Sequence, residues 1–136
     1  MKEQSLWDKL GGASQMESII DQFVERAVAD PAVNYSRDGR FKLDAGAMAY
    51  SKRSALEFIS SAAGGPLQYT GQSLMEIHKD MAISNREFDA ICRVFRQALE
   101  AHEVDKDLLE AVMTKVEATR PLIVTVDLGD RATAGN

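Results

Sequence analysis

The chain has 136 residues, 45% of them hydrophobic, which is enough to bury a real core within one domain. Sixteen lysines and arginines stand against twenty-one acidic residues, a formal charge of −5, and no basic run or aromatic-basic interleaving offers nucleic acid a surface. The opening residues MKEQSLWDKL lack a secretory apolar core, and no stretch nears the roughly eighteen apolar residues of a membrane span, so a cytoplasmic protein with no nucleic-acid and no membrane partner is expected.

Ser5 to Leu10 can form one amphipathic turn, with Leu6, Trp7 and Leu10 on one side, before Gly11 and Gly12 act as a hinge. Ser14 followed by Glu17 reads as a capping box, and Met16, Ile19, Ile20, Phe23, Val24, Ala27 and Val28 then follow the helical template as far as Asp30-Pro31. Pro31 to Leu43 reads as a polar loop in which Tyr35 and Phe41 are candidate anchors onto the core. From about Asp44 to Ala63 the pattern is helical again, with Met48, Ser51, Ala55, Phe58, Ile59 and Ala62 on one face and Gly64-Gly65-Pro66 as the stop.

The stretch Tyr69 to Met81, YTGQSLMEIHKDM, carries the chemistry. Leu74, Met75, His78, Met81 and Ala82 recur at spacings of three and four, which puts His78 on the apolar side of a short helix. Spacing alone leaves two readings open. One is a hydrogen-bonded core histidine; the other is a metal ligand, because a neutral imidazole can give one nitrogen to a metal while the other is held by a carbonyl or carboxylate.

Ser84 with Glu87 repeats the capping box ahead of Phe88, Ile91, Cys92, Phe95 and Leu99, with Asp89 and Arg93 as an (i, i+4) pair on the outer side. Cys92 is the single cysteine, so no internal disulfide is available, and its apolar neighbours mark it as an inert buried thiol. Asp105 can cap a further helix through Leu108, Leu109, Val112, Val116 and Ala118, which Pro121 should interrupt or kink. The run IVTV, Ile123 to Val126, has no partner strand and reads as extended chain or the end of that helix. Short helices joined by glycine turns give an all-α domain.

Several stretches together resemble the truncated haemoglobins of the first group: LWDKLGG at Leu6 to Gly12, FVERAVADP at Phe23 to Pro31, GGP at Gly64 to Pro66, YTG at Tyr69 to Gly71, HKDM at His78 to Met81 and EFDAI at Glu87 to Ile91. The resemblance implies a two-over-two helical sandwich enclosing haem b, with residues 1–128 as the truncated globin domain and 129–136 as a frayed polar tail. It makes His78 the proximal iron ligand, with Phe58, Tyr69, Leu74, Met81, Phe88, Val24, Ser51 and Ala55 as haem-pocket residues. Lys52, Arg53 and Lys79 are candidates for pairing with the haem propionates, and equally for solvated surface charges.

The distal side departs from the family pattern. Many members carry a tyrosine after the phenylalanine of the second helix, where this chain has Val24 after Phe23; on the next helix, where many relatives place a polar distal residue, the matching positions are Ser51 and Ala55 with Ser54 between them, so only serine hydroxyls remain there. The loop from Asn34 to Leu43 is also longer than usual, so Tyr35 or Phe41 would replace the phenylalanine that commonly packs on the haem.

The leading expectation is therefore a haem protein that binds oxygen or another diatomic gas opposite His78. A pocket of Val24, Ala55, Phe58 and at best a serine would discriminate poorly in favour of oxygen over carbon monoxide, unless Tyr35 folds inward. Two alternatives stand beside it. A haem-dependent nitric oxide dioxygenase or peroxidase-like enzyme would need an unidentified reductase as partner, and the sequence offers no recognisable reductase module or distal histidine for acid-base work. A haem-free helical interaction domain would keep His78 structural and Met75 and Met81 as core filler.

Overall fold

A computed structural model describes residues 4–71 and 73–126. Among these described residues seven helices follow in order: α1 Leu6–Lys9, α2 Gly12–Ala29, α3 Ala45–Ala62, α4 Leu74–His78, α5 Asn85–Ala101, α6 Lys106–Glu117 and α7 Arg120–Ile123. Among the described residues there is no strand; a lone parallel bridge joins Ser84 to Val126, with Thr125 and Val126 donating to the Ile83 carbonyl at 3.0 and 3.1 Å. The IVTV run thus ends the last short helix and continues as extended chain, while the tail from residue 127 lies outside the described residues.

The four long helices build the frame. α2 packs on both α3 and α5, and α5 packs on α6, which makes a two-over-two sandwich. Its core gathers the expected stripes: Met16, Ile19, Ile20 and Val24 from α2, Ile59 from α3, Phe95 and Leu99 from α5, and Leu109 and Val112 from α6. Phe23 and Phe95 meet edge to face with centroids 4.9 Å apart across the α2–α5 contact. Each large side chain buried here contributes about 1.5–3 kcal/mol by leaving water.

The helix starts show which local signals hold. The Ser84 box forms in full: the Ser84 hydroxyl accepts from the Glu87 N–H at 3.2 Å, and the Glu87 carboxylate accepts from the Ser84 N–H at 3.0 Å. The Ser14–Glu17 box does not form, because α2 begins two residues earlier, at Gly12. Gly11 adopts φ +98°, reversing the chain at once from α1 into α2 and leaving Ser14 inside the first turn. Asp105 stands at the N-cap of α6, yet its side chain caps no N–H. Pro121 does interrupt: α6 stops at Glu117, and Pro121 falls in the first turn of α7.

At the C-terminus of α3, the GGP turn locks onto α1. The Trp7 N–H donates to the Ala63 carbonyl at 3.0 Å, and a Cβ at Gly65 would stand 2.6 Å from Cγ of Trp7. Only glycine lets the indole lie so close. The Asp89–Arg93 pair of the outer face is replaced by two tertiary pairs, Arg93 with Asp30 at 2.7 Å and Asp89 with Arg120 at 2.6 Å. No helix among the described residues is long and apolar enough to cross a membrane.

Candidate functional site

His78 is the last residue of α4, a five-residue helix whose N-cap Ser73 accepts from the Glu76 N–H at 3.1 Å. Its Nδ1 lies 2.7 Å from the Leu74 carbonyl oxygen. A carbonyl can only accept, so Nδ1 carries the proton and Nε2 keeps its lone pair. Burial pushes the His78 pKa below its ordinary value against the opposing pull of the Leu74 carbonyl, which keeps the imidazole neutral. A neutral, half-buried, oriented imidazole with a free Nε2 has the chemistry of an axial metal ligand.

Four of the other predicted residues are half-buried. Leu74, Met81, Phe58 and Tyr69 all keep partial exposure, and the Phe58 and Tyr69 rings meet edge to face with centroids 6.4 Å apart. α3 packs along α2 whereas α4 packs on α7, so Phe58 and His78 are carried by separately supported helices. Two members of the expected apolar face are corrected. Met75 is 52% exposed, and Ala82 is exposed with φ +54°, because the helix ends at His78 and the 3–4 spacing has no meaning beyond it.

Among the described residues no three histidines, cysteines, aspartates or glutamates converge to hold a bare ion. The single oriented nitrogen of His78 fits a prosthetic group that takes one protein ligand, as haem does. Phe88 is fully buried, with the Arg120 guanidinium 4.6 Å from its ring centroid. Lys52 sits 3.5 Å from Asp21 and from Glu25, Arg53 is 3.1 Å from Glu57, and Lys79 is 3.4 Å from Glu76, so all three propionate candidates have acidic partners within the chain.

Val24 is buried within the core and Ala55 packs against that core. Of the two loop aromatics, Tyr35 is the anchor: it packs against both apolar clusters, while Phe41 is 37% exposed under the Arg40 guanidinium. Burial raises the Tyr35 pKa, offset in part by the nearby Ser51 hydroxyl. The structure thus brings together Tyr35 and Ser51, a pair that periodicity could not link.

Glu57 and Arg37 were not found from the sequence. Glu57 is buried on α3 next to Phe58 and accepts from the Thr70 N–H and hydroxyl at 3.2 and 3.0 Å, fastening the Tyr69 segment to α3. The Thr70 N–H, with Arg53 beside it, holds the Glu57 pKa below the ordinary value despite burial. The (i, i+4) spacing to Arg53 was the available signal. Arg37 bridges the long loop to the turn after His78, for which no local pattern exists. A hollow of about 500 Å3, lined by Lys9, Ser14, Gln15, His102 and Asp105 among others, contains none of the predicted site residues.

Comparison with known proteins agrees with the two-over-two helical fold. The family model described as bacterial-like globin matches residues 5–124. A group 1 truncated hemoglobin of Tetrahymena pyriformis is 29% identical over 119 residues, covering 88% of this chain and 93% of that one. The crystal structure of the truncated hemoglobin from Tetrahymena pyriformis in its Fe(III) form superposes with a TM-score of 0.79 at 26% identity, over 89% of this chain and 98% of that one. A Synechococcus 2/2 hemoglobin, crystallised in the cyanomet state with covalently attached heme, gives a TM-score of 0.79 at 28% identity over 90% of this chain and all of that one, 100%.

Proposed function

Since the chain belongs to the bacterial-like globin family, and with it to the haem-binding, gas-binding proteins, we propose that it holds haem b through His78 and binds oxygen or another diatomic gas on the opposite face. One observation carries the reading: His78 donates from Nδ1 to the Leu74 carbonyl and keeps Nε2 free, the arrangement an axial ligand needs. Haem, when bound, would be held by His78 and would supply the iron that takes up the gas.

The residues around it have separable tasks. His78 offers the nitrogen, with the Leu74 carbonyl fixing its tautomer and raising its basicity. Phe58, Tyr69, Leu74 and Met81 offer apolar surface that excludes water and holds a flat, largely apolar group. Val24 offers no donor, and the Tyr35–Ser51 pair supplies the polar group on the distal side. The other histidine of the chain, His102, caps the end of α5 and donates from Nδ1 to the Ala98 carbonyl at 2.9 Å, so the gas position is left to water, a hydroxyl or the ligand.

The test is the visible spectrum of the purified protein. A Soret band that persists through gel filtration, and that changes on adding carbon monoxide to the reduced protein, supports the reading. A protein that takes up no haem under reconstitution refutes it and returns the fold to a haem-free interaction role.

A further inference from the structure

α4 is only five residues long, too short to hold itself in place, so the setting of His78 depends on what grips the helix from outside. Beyond it, the chain turns through Asp80, Met81 and Ala82, the last with φ +54°, and its carbonyls lie past the end of any helix. All three are taken by arginines of the distant loop. Arg37 donates from Nε to the Met81 carbonyl and from Nη2 to the Ala82 carbonyl, both at 3.0 Å, and Arg40 donates from Nη1 to the Asp80 carbonyl at 2.8 Å.

Arg37 is the buried member, its side chain 10% exposed. Its Nη2 also meets Glu87 at 3.0 Å, and its Nη1 donates to the Asn34 carbonyl at 3.2 Å, so one planar fork joins the loop, the post-His78 turn and the first turn of α5. Glu87 is itself fixed by the Ser84 capping box, and Asn34 adds a bond to its other oxygen at 3.4 Å. The loop accepts left-handed backbone at Asn34, Arg37 and Asp38 to present this side chain.

We propose that Arg37 is a positioning residue for the His78 imidazole: by tying the carbonyls of Met81 and Ala82 to the Glu87 carboxylate, it fixes the end of α4 against α5 and so sets the orientation in which Nε2 meets the iron. This rests on the reading of His78 as the axial ligand. The clamp acts on backbone three and four residues past His78, leaving the ring itself free to bond. Lysine cannot replace it, because a single ammonium lacks the fork that reaches two carbonyls and a carboxylate together.

The experiment compares the native protein, Arg37→Met, Arg37→Lys and His78→Ala. In the reduced, ligand-free haem protein the iron–imidazole stretching band is expected to shift and broaden in Arg37→Met and in Arg37→Lys, with haem loss to an acceptor apoglobin faster by about tenfold. In the haem-free proteins, amide exchange at residues 79–83 should accelerate while the α2 and α5 core amides stay protected. An unchanged band in both Arg37 variants overturns the proposal, as does exchange that accelerates uniformly, which would make Arg37 a general stabiliser. Should Arg37→Met fail to fold, Arg37→Lys carries the same readings. If His78→Ala keeps the native band, the axial assignment fails instead, and that result is separate from any behaviour of Arg37.

Discussion

The Nδ1–H of His78 donates to the carbonyl oxygen of Leu74, one helical turn earlier, at 2.7 Å. The bond settles the tautomer and leaves Nε2 as the nitrogen available to iron, from a ring whose neutrality is favoured by burial. His78→Ala is therefore expected to lose the axial bond and the native visible spectrum. Added imidazole should restore a native-like spectrum, because the space vacated is the shape of the ring. A His78→Ala protein that kept its spectrum and haem affinity without imidazole would show that another group holds the iron.

Acid should loosen the Tyr69 segment before it unfolds the core. The Glu57 carboxylate is held below its ordinary value of 4.5, first by the Thr70 N–H and then, against burial, by the Thr70 hydroxyl and Arg53. A carboxyl whose folded pKa is depressed contributes stability that is fully present above 4.5 and is lost as pH falls through the folded value. Glu57→Gln is expected to be less stable near neutral pH, and its urea midpoint should change less between about pH 6 and pH 3 than that of the native protein. Parallel pH profiles for the two proteins would remove Glu57 from this role.

The parts of the fold written in local patterns were legible, and those written in long-range partners were not. The α2 and α5 stripes place Ile19, Ile20, Val24, Phe95 and Leu99 in the core as their spacing requires, and the Ser84–Glu87 box forms because both groups lie within one turn. Ser14 and Glu17 carry the same pattern and fail, since Gly11 lets the helix begin earlier. Asp89 and Arg93 have the spacing of a pair, yet each finds a partner outside its helix. Within the candidate site, His78 stood out by its spacing and by resemblance. Arg37 did not, because its long-range acceptors are two backbone carbonyls and a carboxylate more than forty residues away, and backbone carbonyls leave no mark in a sequence.

Gly65→Ala should destabilise the protein by about 1–3 kcal/mol, the usual cost of forcing extra volume into a filled site. The added Cβ would meet Cγ of Trp7 at 2.6 Å and press on the Ser60 hydroxyl, which accepts from the Leu67 N–H at 2.9 Å. Neither neighbour is a flexible chain end, so α1 has to shift. Thermal unfolding combined with Trp7 fluorescence would report both the loss and its place. Gly64→Ala, where φ is +80° and the built Cβ stands a tight 3.3 Å from Cβ of Ser5, is expected to cost mainly through backbone strain while leaving the Trp7 signal closer to native.

The last prediction concerns gas discrimination, where Val24 and Tyr35 pull in opposite directions. Val24 is buried in the core and has no hydrogen to give, which by itself favours carbon monoxide, the less polar ligand. Tyr35, however, is folded inward beside the Ser51 hydroxyl. Each hydroxyl has a hydrogen to give, so the pair can offer a donor to a third group. If that group is the bound gas, Tyr35→Phe should speed oxygen release by about fivefold, the effect of a bond worth on the order of 1 kcal/mol, and should change carbon monoxide release much less. Val24→Tyr, if the core accommodates the ring, should slow oxygen release from the opposite wall at a stability cost of about 1–3 kcal/mol. Stopped-flow release rates for both gases on the native protein and the two variants decide between the walls. Oxygen release unaltered by Tyr35→Phe would confine Tyr35 to anchoring the loop and leave an apolar pocket that favours carbon monoxide.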